Sequence, residues 1–125
     1  MKKRISTDRA PAAVGPYSQG IEAGGFIFVS GQLPATADGE LITADPKAAA
    51  RQALANVRAV LEAAGARMDD VVKVTVYLAD IADFGAMNEV YKEFFSEPYP
   101  ARVAVAVKEL PKGAPLEIEA IAVRK

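Results

Sequence analysis

Histidine and cysteine are both missing from this 125-residue chain. Their absence excludes disulfides, thiol nucleophiles, Ser–His triads, imidazole bases and nearly every zinc site. No apolar run approaches the ~20 residues of a membrane span. Neither GxGxxG nor GxxxxGK[ST] occurs, so nucleotide binding has no support. There is no basic excess: 15 Lys and Arg stand against 16 Asp and Glu, a net charge of −1. The only basic cluster, Met1-Lys2-Lys3-Arg4, is too short for a nucleic-acid footprint, and Ile5-Ser6-Thr7-Asp8 follows it where a signal peptide would turn apolar. With 51% hydrophobic and 25% charged residues, the expectation is one soluble cytosolic domain over residues 1–125. Its chemistry must use carboxylates, arginine, lysine, hydroxyls, amides and backbone groups.

Among the residues present, Arg102 constrains the reading most. It heads the alternating run Pro100-Ala101-Arg102-Val103-Ala104-Val105-Ala106-Val107, a β-strand pattern. A guanidinium there is either a solvated strand end or structural ion pair, or a planar fork held in a pocket and matched to a small carboxylate.

Around it the elements are readable. Phe26 to Ser30 reads as a strand introduced by Gly24-Gly25 and closed by Gly31. Pro34 to Glu40 reads as a loop turning at Asp38-Gly39. Asp45-Pro46 starts a helix, with Asp as N-cap and Pro at the first helical position. Its apolar stripe is Ala50, Ala53, Leu54, Val57, Val60, Leu61 and Ala64, and Gly65 ends it. Val72 to Leu78 alternates as a half-buried strand. A second helix is predicted from about Asp83 to Phe95, burying Phe84, Met87, Tyr91, Phe94 and Phe95. Pro98 and Pro100 then impose an extended approach to the Arg102 strand, and Leu116 to Val123 forms the last one. The fold class is α+β, with two long helices on one face of a mixed or antiparallel sheet.

Two helices leave the sheet's other face uncovered. The alternation is taken to place Val103, Val105 and Val107 on the helix side, and Arg102, Ala104 and Ala106 on the open side. Small apolar residues there imply a homo-oligomer that buries this face. If the last two strands pair antiparallel with their apolar residues on one face, Glu117 and Glu119 share the other face with Arg102. One or both would then lie roughly 5–8 Å from it. That arrangement reads equally as room for a ligand or as a cross-strand ion pair.

Three further stretches hold polar groups in unusual settings: Gly15-Pro16-Tyr17-Ser18-Gln19, Ser30-Gly31-Gln32, and Asn88 within the second helix, where asparagine is a poor helix former. Taken in order with Asp83-Phe84, Tyr91, Pro100-Ala101-Arg102, Leu110-Pro111 and Leu116-Glu117-Ile118-Glu119, they resemble the RidA (YjgF/YER057c/UK114) family over essentially the whole chain. The most specific part runs from Pro100 to Ile118. The resemblance implies a chorismate-mutase-like homotrimer with pockets at subunit interfaces and no cofactor or metal. It also implies hydrolysis of reactive enamines and imines, of the 2-aminoacrylate and 2-iminobutyrate class, to 2-oxo acids and ammonia. By that resemblance Arg102 binds the substrate carboxylate and Glu117 positions or activates water. Tyr17, Ser30, Gly31 and Asn88 line the pocket, and Ala104 stands at a lining position where many members carry cysteine. Two other readings stay open: a non-catalytic 2-oxo acid sensor using the same pocket, and an RNA-processing or translation-inhibiting role. The acidic pI of about 5.5 and the lack of a basic stripe count against the latter.

Overall fold

A computed structural model describes all 125 residues. Six strands form one sheet in the order β1-β2-β3-β6-β4-β5: β1 Lys3–Ile5, β2 Gly20–Ala23, β3 Phe26–Gln32, β4 Val71–Leu78, β5 Ala101–Ala106 and β6 Leu116–Val123. Helix α1, Pro46–Ala63, and helix α2, Phe84–Phe94, pack on one face. The α+β class and the mixed sheet expected from the sequence are both present.

Helix α1 begins and ends where its local chemistry dictates. The Asp45 side chain accepts from the Lys47 amide at 3.0 Å, and Pro46 occupies the first turn, where its missing N–H costs nothing. Gly65, at φ +78°, leaves the helix in the left-handed region. Ala50, Ala53, Leu54, Val57, Val60 and Leu61 are buried against Ile27, Val29, Val74, Val76 and Ile118 of the sheet. The short strands β1 and β2 are not apparent in the sequence. They run for only three and four residues and show little apolar patterning.

The pairing of the last two strands differs from expectation. β6 lies centrally, antiparallel to both β3 and β4, while β5 is an edge strand parallel to β4. Helix α2 is the crossover between β4 and β5, so those two strands must run parallel and adjacent. β6 then enters the remaining gap between β3 and β4.

The faces of β5 are also reversed. Arg102 and Ala104 are half-buried, and Ala104 packs against the core beneath the helices. Val103 and Val105 stand exposed at 42% and 40% on the open face, and Ala106 is exposed at the strand end. Alternation fixes which residues share a face but not which face it is. The small residue fits under the helical layer, and the valines are left outside.

The loop after β3 is tied to α1 by a buried amide. Asn56 donates to the carbonyls of Leu33 and Ala35 at 3.1 and 2.8 Å and accepts from Gln52. Asn56→Leu would leave both carbonyls without that donor. It should cost about 2 kcal/mol and lower the melting midpoint by roughly 8 °C. A thermal scan showing no change would mean that this loop is held by other contacts.

Candidate functional site

The stripe Phe84, Asn88 and Tyr91 runs along α2 at i, i+4 and i+7, which aims it at the edge strand β5. Arg102 reaches across to it. Its guanidinium lies over the Tyr91 ring at 4.7 Å and the Phe84 ring at 5.5 Å. Nη1 donates to Asn88 Oδ1 at 2.7 Å. No carboxylate pairs with Arg102, so its remaining donors are free for an anion. A cavity of about 380 Å³ opens beside it, bounded by Asn88, Tyr91, Lys92, Tyr99 and Pro100. Asparagine is a poor helix former, but here its amide oxygen fixes the guanidinium without neutralising it.

A second cavity, of about 640 Å³, lies elsewhere on the sheet. Tyr17, Ser30, Gly31, Lys112, Glu117 and Glu119 are among its walls. It is shaped by a β-bulge: between the pairs Val29–Ala120 and Gln32–Ile118, β3 carries both Ser30 and Gly31 where β6 carries only Glu119. The Ser30 hydroxyl is committed, donating to the Ser18 carbonyl at 2.6 Å. Gly31 lies so close to Glu117 that a Cβ there would sit 2.5 Å from its Oε2. Any larger residue at this position would displace the carboxylate from where it lies. Burial, and secondarily the neighbouring charge of Glu119, push the Glu117 carboxyl above its ordinary range. Tyr17 is more than half exposed.

The predicted site residues thus fall into two groups. Arg102 and Asn88 meet on the helix side of β5, with Ala104 two residues along on the same face. Tyr17, Ser30, Gly31 and Glu117 gather at the bulge. Within one chain Arg102 and Glu117 do not form the expected cross-strand pair. β4 separates their strands, and they project to opposite faces. Arg102 is level with Val74 and thereby Ala120, three residues from Glu117. Strand spacing and rise put their Cα atoms roughly 14 Å apart. From the sequence, Glu119 is expected beside Arg102 together with Glu117, and Phe84 and Tyr91 are expected as buried helix residues, with no site role assigned to any of the three. The α2 spacing carried a signal for the two aromatics.

Comparison with known proteins agrees with this architecture. A family model described as Endoribonuclease L-PSP matches residues 7–124. A 2-iminobutanoate/2-iminopropanoate deaminase of Escherichia coli is 48% identical over 128 residues, covering all of both chains. The chain belongs to the RidA/YjgF family. A RutC family protein of Pyrococcus horikoshii is 54% identical, again over the full length of both. The crystal structure of Escherichia coli TdcF with bound serine superposes with a TM-score of 0.93 at 50% identity, covering 98% of this chain and 99% of that one. No group of three or more Asp or Glu is placed to hold a metal ion, and no helix is long and apolar enough to cross a membrane.

The Tyr91 hydroxyl is buried with no hydrogen-bond partner, and burial pushes its phenol upward despite the nearby Arg102. Tyr91→Phe removes that orphan group and keeps the ring under the guanidinium. It should therefore raise stability by about 1 kcal/mol in chemical denaturation. A loss of similar size would show that the hydroxyl is satisfied in the native protein.

Proposed function

We propose that this protein hydrolyses reactive 2-imino acids and their enamine tautomers, the 2-aminoacrylate and 2-iminobutyrate class, to 2-oxo acids and ammonia. The observation that carries this reading is the unpaired guanidinium of Arg102, fixed by two aromatic faces and one amide. A cation held that way suits a small carboxylate bidentately. The deaminase name of a full-length relative supports the reaction class. The serine bound in another relative supports a small amino-acid-like ligand.

The two cavities become one site if they come from different subunits. Phe26, Phe28, Val103, Val105 and Val123 are all at least 37% exposed on the sheet's uncovered face. Large apolar side chains exposed together on one sheet face favour burial against another copy. In the proposed homotrimer, Arg102 of one subunit faces Glu117, Gly31 and Tyr17 of its neighbour. The site would then lie at the interface, and neither half would be complete alone.

The chemistry asks little of the protein. Arg102 holds the carboxylate and so fixes the adjacent C2, which is already electrophilic in the imine. Water attacks C2 while Glu117 accepts its proton, forming a carbinolamine. That proton passes to nitrogen; Glu117 then takes the carbinolamine's hydroxyl proton and hands it to the amine, so that ammonia leaves with the C–N bonding pair as the carbonyl forms. Neither a metal nor a cofactor is required by these steps. The description attached to the family model names an endoribonuclease. For this chain a net charge of −1 and dispersed basic residues count against an RNA-processing role.

Steady-state imine clearance tests the proposal. Arg102→Lys keeps the charge but loses the planar fork, and should lower kcat/KM roughly 30- to 1000-fold. Glu117→Gln should lower kcat about 100-fold with little change in affinity for an inert 2-oxo acid. A wild-type protein that binds 2-oxo acids but turns over no imine would instead be a binding module. Full activity in the lysine variant would remove the bidentate claim.

A further inference from the structure

The two carboxylates lining the bulge cavity are in different states of engagement. In the β4–β6 register Tyr77 stands directly opposite Glu117, and Thr75 opposite Glu119. Yet the Tyr77 hydroxyl reaches diagonally and donates to Glu119 Oε2 at 2.9 Å. A phenol has one proton to give, so Glu117 receives nothing from it. Glu117 has no donor within its own subunit and lies packed against Gly31.

We infer that Tyr77 and Glu119 form a positioning pair for Glu117, holding a second negative charge beside it so that Glu117 is the site's proton acceptor. This rests on the reading of Glu117 as the base. Two carboxylates in unlike surroundings, one satisfied and one bare, are how a site separates a spectator from an acceptor. The electrostatics agree with that geometry: after burial, Glu119 is the charge that drives Glu117 upward. Its hydrogen bond to Glu119 in turn raises the Tyr77 phenol, which stays protonated and able to donate.

The other groups facing this pair are few. Ser30 and Gly31 on β3 carry no charge. The arm before β2 supplies Tyr17, and the turn at Pro111–Gly113 supplies Lys112. Lys73 shares a separate cavity with Glu119. In the proposed assembly the neighbour's Arg102 faces Glu117 and pulls the other way, so Glu119 offsets that pull and keeps Glu117 able to accept a proton.

The test is the pH profile of kcat/KM for imine hydrolysis, with melting temperatures measured on the same preparations. Glu119→Gln removes the adjacent charge. It should move the acidic limb to lower pH and reduce the plateau about 3- to 10-fold, as a weaker base should. Tyr77→Phe strips Glu119 of the donor that stabilises its charge, so the limb should move in the same direction as in Glu119→Gln, by a smaller amount. The double variant should follow Glu119→Gln, because Tyr77 acts only through Glu119. Graded shifts in one direction, with melting temperatures unchanged, are not what a purely structural role produces. An unmoved limb in folded Glu119→Gln, while Glu117→Gln has lost turnover, would overturn the inference alone. Wild-type kcat in Glu117→Gln would overturn the base assignment and the inference together. Should Glu119→Gln not fold, an unmoved limb in Tyr77→Phe would overturn it.

Discussion

An arginine left without a carboxylate partner normally moves freely in water. Here its position is fixed by contacts that do not cancel its charge. Two aromatic faces beneath the guanidinium and one amide oxygen at its edge restrain Arg102 while leaving most of its donors unused. Cation–π contacts of this kind contribute about 0.5–2 kcal/mol, which suffices to favour one orientation of a flexible side chain. The fold is arranged around that requirement. Only an edge strand lets the guanidinium extend past the sheet, and only a crossover helix running directly into that strand brings Phe84, Asn88 and Tyr91 under it.

The same topology keeps Arg102 and Glu117 apart within one chain. Inserting β6 between β3 and β4 places Glu117 on the open face, two strands from Arg102 and facing the other way. The bulge at Ser30-Gly31 then opens a slot for that carboxylate. In the proposed trimer another copy of the chain covers the exposed phenylalanines and valines of the open face and completes the site. On that proposal oligomerisation and catalysis are a single constraint, because the surface that hides the apolar side chains would also bring a carboxylate to a guanidinium.

Much of this was legible in the residues, and the failures have definite causes. Asp45-Pro46, the apolar stripe and Gly65 marked α1 at both ends, because capping and periodicity are local properties. Arg102 and Asn88 stood out because each is a costly choice in its local setting, and they do meet. The cross-strand Arg–Glu pair was wrong because sequential strands were taken as neighbours, whereas β6 crosses back to the middle of the sheet. The faces of β5 were exchanged because strict alternation is symmetric. The anchoring roles of Asn56 and Gln19 escaped notice for another reason. Their partners are backbone carbonyls of distant segments, such as Leu33, Ala35 and Pro11, which no local pattern announces.

The central claim, that each site takes Arg102 from one subunit and Glu117 from the next, is tested most directly by mixing two inactive variants. Arg102→Ala and Glu117→Gln are co-expressed, the mixed assemblies are confirmed by native mass spectrometry, and imine hydrolysis is compared with that of each variant alone. In a randomly mixed trimer about one site in four joins an intact Arg102 to an intact Glu117 across an interface. Activity should therefore return to about a quarter of the wild-type value. Mixed assemblies no more active than either parent would contradict the account, since they would place both residues' action within a single chain.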